Sequence, residues 1–161
     1  MRLRGPIPFV VALLVLGSSI AWLPGYAPSS LLQAQGTPPP QPLMMIAKDG
    51  RRPVPTTILS GQELIGLDTV AMLFQAVLRD DALTGGATLS YRGRTIVVSA
   101  DQPMASVNGR VVTLPAPATR SGRRWLVPIE FLPRALGPIY DQKIELRRPQ
   151  RLLLVGDVHV P

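Results

Sequence analysis

Apolar positions along the chain fall into three regimes. From Phe9 to Leu23 they form an almost unbroken run that Pro24-Gly25 ends. Residues 35–42, Gln-Gly-Thr-Pro-Pro-Pro-Gln-Pro, carry no core-forming side chain and have a polyproline tendency. From Leu43 onward the apolar residues come in short segments separated by turn-forming residues. Leu43-Met44-Met45-Ile46 predicts a short strand that opens the folded part. Arg51-Arg52-Pro53-Val54-Pro55 has too much proline for a central strand and predicts an edge or a loop. Ile65, Val70, Leu73, Phe74 and Val77 recur at helical spacing, with Asp68 placed to cap that helix. Ala87–Tyr91 and Arg94–Ser99 predict a hairpin across Arg92-Gly93, and Val107, Val111 and Leu114 flank a second at Asn108-Gly109. Asn-Gly is the strongest short hairpin signal, because both residues tolerate positive φ.

The second half repeats the order of the first. Trp125-Leu126-Val127 predicts a strand. Pro128 suits a first helical turn, Glu130 complements the helix dipole, and Ile129, Leu132 and Leu136 supply an apolar stripe. Gly137 is placed for a left-handed cap. Lys143–Arg147 and Arg151–Val155 then predict a hairpin across Arg148-Pro149-Gln150. Pro133 lies inside this second helix, where it removes a backbone hydrogen bond and should shorten or kink it. Strand, short helix and hairpin thus occur twice, bridged by the Asn108-Gly109 hairpin. The expected class is α+β: duplicated strand–helix–hairpin units forming small antiparallel sheets with two short helices.

The motifs Ala105-Ser106-Val107-Asn108-Gly109-Arg110-Val111-Val112-Thr113-Leu114, Trp125-Leu126-Val127-Pro128-Ile129-Glu130-Phe131-Leu132-Pro133-Arg134-Ala135-Leu136-Gly137 and Tyr140-Asp141 carry a family likeness. They resemble the copper amine oxidase N-terminal-like domain, or stalk domain, of bacterial envelope proteins, whose signature has the form "vnG..v.l…g..lvPlrfl.ealG..v.wd". The likeness spans residues 44 to 156, closer in the second half than in the first, where Gly66-Leu67 stands at the place of Val127-Pro128. It implies a non-catalytic module, often attached to cell-wall amidases.

The N-terminus agrees with export. Arg2 and Arg4 precede the apolar run, which is shorter than the about 20 residues of a spanning helix. The expectation is a signal peptide over residues 1–34, cleaved after Ala34, then a linker over 35–42 and one domain over 43–161. A retained signal anchor is the alternative. The sequence has no cysteine, so neither lipid attachment there nor a disulfide framework is available. The expected location is the periplasm or cell envelope, with no membrane span after cleavage.

Charge narrows the partners. The formal net charge is +7, and loss of Arg2 and Arg4 leaves +5. Such a chain either contacts anionic envelope polymers or peptidoglycan, or carries a solvated arginine-rich surface. Nucleic acid is not an expected partner, since two Trp, three Tyr and three Phe form no stacking platform in the sequence.

Catalytic chemistry is not expected in these residues. His159 is the single histidine, so no three-imidazole copper or zinc site can form; it reads as a strand residue. No Gly-x-Ser-x-Gly elbow exists, and Asp80-Asp81 and Gly85-Gly86 read as a solvated loop and a turn. No cofactor is expected. The candidate ligand-binding residues are Arg120, Arg123, Arg124 and Trp125 around Ser121-Gly122, with Arg110 at the other hairpin tip. Converging, they would grip carboxylates bidentately; otherwise they form a solvated turn and a core tryptophan. Tyr140 reads as packing and Asp141 as turn-forming. Three functional readings follow: a peptidoglycan-associated binding or spacer module, the N-terminal portion of an N-acetylmuramoyl-L-alanine amidase, or an oligomerisation module. The alternating apolar end at Val158-His159-Val160-Pro161 motivates the second, with a covalently linked hydrolase domain beyond it.

Overall fold

The computed structural model describes residues 41–158, apart from Ala82. The expected signal peptide, most of the linker and His159 lie outside the described residues. Among the described residues thirteen strands form three sheets, joined by two helical elements, an α+β architecture dominated by antiparallel pairing.

The first sheet has the order β12-β13-β1-β2, with β1 (Leu43–Ala47), β2 (Gly50–Val54), β12 (Ile144–Arg147) and β13 (Leu152–Val155). β2 lies at its edge, where Pro53 needs no ladder partner for the N–H it lacks. β1 and β13 run parallel, with Met45 opposite Leu153. Parallel strands need a long crossover, and here the rest of the domain supplies it.

The second sheet, β10-β11-β4-β3, pairs β3 (Thr57–Leu59), β4 (Gln62–Gly66), β10 (Thr119–Ser121) and β11 (Arg124–Pro128). β4 and β11, the strands preceding the two helical elements, are antiparallel neighbours, Ile65 facing Val127. The third sheet is an antiparallel meander, β5 (Val77–Asp81), β6 (Gly86–Tyr91), β7 (Arg94–Ser99), β8 (Met104–Val107) and β9 (Arg110–Thr113). Asn108 and Gly109 take positive φ at the β8–β9 turn, as their pairing predicts. Asn108 Oδ1 also accepts the Thr95 N–H at 2.9 Å, which ties this turn to β7.

The helices differ from the sequence expectation at both ends and in kind. Helix α1 is Leu67–Phe74; Ile65 belongs to β4 and Val77 opens β5, so the apolar spacing overran the helix at both ends. Gly66 is the residue before α1, and Asp68 sits inside its first turn, where its carboxylate meets Arg124. Pro128 ends β11 opposite Leu64, and Glu130 pairs with Arg148 at 2.8 Å. The second helical element, Leu132–Leu136, is a π-helical turn. Its Gly137 N–H reaches the Leu132 carbonyl at 2.8 Å, the wider ring accommodating Pro133, which has no N–H to give. Gly137 is right-handed, at φ −48° and ψ −47°, not left-handed. Its lack of a side chain has another cause: a Cβ there would lie 2.5 Å from the Pro133 carbonyl oxygen.

One apolar cluster joins all three sheets to both helical elements. Ile65, Val70, Val127, Phe131, Leu132, Leu136 and Leu153 are all fully buried in it, with Ile96 and Val98 from the meander. Among the described residues no helix is long and apolar enough to cross a membrane.

Candidate functional site

The β10–β11 hairpin presents the arginines singled out in the sequence, and most of them already have partners. Arg120 Nη2 donates to Asp80 Oδ2 at 2.9 Å and its guanidinium lies 5.7 Å from the centre of the Trp125 ring. Trp125 is buried, and its indole N–H donates to the other oxygen of Asp80 at 3.1 Å. Arg124 grips Asp68 with two bonds of 3.1 and 3.2 Å. Burial acts to raise the Asp68 carboxyl, but the Arg124 hydrogen bonds, the Thr69 N–H and the Arg124 charge outweigh it and hold Asp68 below its ordinary value. Gly66 makes the pair sterically feasible, since a Cβ there would meet Asp68 Oδ1 at 2.2 Å.

Arg123 stands exposed at the turn tip. Arg110 is on β9, the opposite edge of the meander from β5 and Asp80. Four strand spacings of about 4.8 Å separate those edges, so Arg110 does not join the other arginines. Asp80 and Asp81 belong to strand β5, not to a loop, because β5 pairs with β6 through Asp81 opposite Gly86. Their roles diverge: Asp81 Oδ1 accepts the N–H groups of Leu83 and Thr84 and so shapes the following turn.

A second site lies where the β1–β2 turn, the end of α1, the β6–β7 turn and the segment after the π-helical turn meet. It is an open cleft of about 370 Å³. Its floor is aromatic. Phe74 and Tyr140 meet edge to face at 5.1 Å, and Tyr140 and Tyr91 lie 4.9 Å apart with their rings tilted by 47°. Burial first, then Tyr91 and Asp141, push the Tyr140 hydroxyl above its ordinary pKa. Tyr140 packs as expected from the sequence.

Asp141 does more than form a turn. One of its oxygens accepts Arg92 Nη1 at 2.6 Å and the Tyr91 hydroxyl at 3.2 Å. The other is 3.4 Å from Arg94 Nη1, which also donates to the Ile139 carbonyl at 2.8 Å. These bonds lock the β6–β7 turn to the Tyr140 segment, with Arg92 also stacked over the Tyr91 ring at 5.5 Å. Across the cleft, Arg52 is paired with Asp49. Sequence reasoning missed this site because its halves are some fifty residues apart; an aromatic beside a charge, at Tyr91-Arg92 and at Tyr140-Asp141, was the local trace.

The family model for the copper amine oxidase N-terminal domain matches residues 47–147. The chain belongs to the copper amine oxidase N-terminal domain family. Neither the curated proteins nor the solved structures yielded a match. Copper amine oxidase N-terminal domains are generally non-catalytic. The matched span begins at the last residue of β1 and ends with β12, so it contains both tyrosines of the cleft and the whole β10–β11 hairpin. Among the described residues no group of three or more His, Cys, Asp or Glu side chains could hold a metal ion.

Proposed function

We propose that this copper amine oxidase N-terminal domain is an exported binding module of the bacterial cell envelope that associates with peptidoglycan. The observation that carries the reading is the cleft at Tyr91 and Tyr140. A plain spacer has no need of an open aromatic floor ringed by pre-formed Arg–Asp pairs. The basic β10–β11 turn adds a weaker, charge-based contact through Arg123 to anionic wall polymers. The recurrence of strand, helical turn and hairpin in both halves supports an origin by duplication, with the β4–β11 pairing as the junction of the copies.

The test is retention of residues 35–161 on purified sacculi across a salt series. Saturable retention supports recognition. No retention even at low salt leaves a spacer.

A second reading, self-association, is favoured by the edge strand β3, where Ile58 and Leu59 are both exposed. An unpaired edge bearing apolar side chains invites strand pairing between copies. Light scattering of a strict monomer at high concentration would remove it.

A further inference from the structure

We propose that the Tyr91–Tyr140 cleft is a saccharide site, taking an uncharged glycan segment with a sugar ring laid on the tyrosines. This names the ligand class of the same site and rests on the envelope reading above.

Three observations converge on that chemistry. The first is the shape of the aromatic floor. Tyr91 and Tyr140 are tilted by 47° to each other, Phe74 meets Tyr140 edge to face, and Arg92 lies over one face of the Tyr91 ring. Aromatic side chains offer a rigid apolar face with a polar tip, which suits a ligand having C–H groups on one face and hydroxyls around its rim. The volume of about 370 Å³ lies within the roughly 300–1,000 Å³ of small-ligand pockets.

The second is the charge balance. Both arginines of the lining are neutralised, Arg92 by Asp141 and Arg52 by Asp49, and Lys48 is the one lining cation outside these pairs. A site built to capture an ion would leave its arginines unpaired, as multiply charged ligands demand. Paired this way they set donors and acceptors side by side at the rim, suited to hydroxyl groups, which both give and accept hydrogen bonds.

The third is the end of α1. The chain leaves the helix through Gln75 in the left-handed region, φ +54°, and both Gln75 and Ala76 spend their N–H groups on the Ala71 carbonyl. The last carbonyls of a helix have no partner within it. Those at Leu73 and Phe74 belong to residues of the cleft wall, where a sugar hydroxyl could donate to them.

The test titrates the isotopically labelled chain with a soluble, uncharged β-1,4-linked N-acetylglucosamine oligomer, followed by amide chemical shifts. Polyglutamate serves as an anionic polymer without sugar rings. Expected are shifts at Lys48–Arg52, Leu73–Gln75, Tyr91-Arg92 and Tyr140–Gln142, little altered by salt. Tyr91→Ala should weaken the oligomer about tenfold. Arg52→Ser, an exposed change that leaves the core untouched, should weaken it about threefold.

The proposal is overturned by any of three results: no shifts at millimolar oligomer, shifts confined to other surfaces, or movement of the cleft amides by polyglutamate alone. The two readings separate cleanly. Sacculi retained without oligomer binding would remove the saccharide assignment and keep envelope association. Oligomer binding at the cleft without sacculus retention would do the reverse.

Discussion

Arg151 and Glu63, 88 residues apart in the chain, meet in a bidentate ion pair with bonds of 2.6 and 2.9 Å. The pair ties the β12–β13 turn of one sheet to β4 of another, and Thr56 Oγ1 adds a third bond to Glu63 at 2.6 Å. Both side chains are largely buried, at 13% exposure for Glu63 and 26% for Arg151. Beside them Glu130 pairs with Arg148, so two glutamates and two arginines form one polar seam between the sheets.

Breaking that seam from one side should be costly. Glu63→Ala leaves a partly buried guanidinium without its partner and should lower stability by about 1–3 kcal/mol. Replacing both partners, Glu63→Leu with Arg151→Met, should recover most of the loss, because the desolvation penalty goes with the charges. Urea unfolding of the three variants decides this; equal losses in the single and double variants would refute it.

The same pair makes stability depend on pH at the acid end. Burial acts to raise Glu63, but the hydrogen bonds of Arg151 and Thr56 and the charges of Arg151 and Arg148 hold its carboxyl below the ordinary 4.5. A folded-state pKa below the unfolded one means that the unfolded chain takes up the proton more readily. The contribution is therefore complete above about 4.5 and is lost as pH falls through the lower folded value. Asp68, lowered by Arg124, acts in the same direction. Melting temperature should hold from neutral pH to about 5 and then drop, and Glu63→Gln should flatten the drop.

The arginines of the β10–β11 hairpin should separate by role. Arg120→Ser removes an ion pair with Asp80 and a contact over Trp125, costing on the order of 1 kcal/mol. Arg123→Ser should leave the melting temperature unchanged and reduce salt-sensitive retention on sacculi, if the turn contributes to binding. Retention identical to the parent chain would clear Arg123 of that role.

Gly137 and Gly109 are required for different reasons, and alanine substitutions should show it. At Gly137 the new Cβ would be 2.5 Å from a backbone carbonyl, which must move; a loss of about 1–3 kcal/mol is expected. At Gly109 the space is open and φ is +82°, so the cost is that of a left-handed alanine, about 1 kcal/mol. Thermal unfolding of both proteins compares them.

Local patterning made strands β6 to β9 of the meander and their two hairpin turns readable from the residues alone, but not β5, where Val77 read as helical and Asp80-Asp81 as a loop. The apolar segments of β6 and β7 on either side of Arg92-Gly93, and the positive-φ tolerance of Asn108-Gly109, act within a few residues of one another. The proline of β2 marked an edge because a missing N–H is tolerated only there. The motifs around Trp125–Gly137 and Tyr140-Asp141 located the family, which the match over residues 47–147 shows.

Other features were decided only when distant segments met. Pro128 has the local chemistry of a helix start, yet pairing with Leu64 on β4 keeps it in a strand. Asp68 has the chemistry of a cap, yet Arg124, 56 residues on, claims it. The parallel β1–β13 pair and the Glu63–Arg151 seam depend on closure of the whole domain, whose entropy cost no local pattern records. The cleft has the same origin. In the sequence Tyr140 reads as packing and Tyr91 as the end of a strand, and the fold brings them together by bonding Asp141 to the turn that carries Arg92.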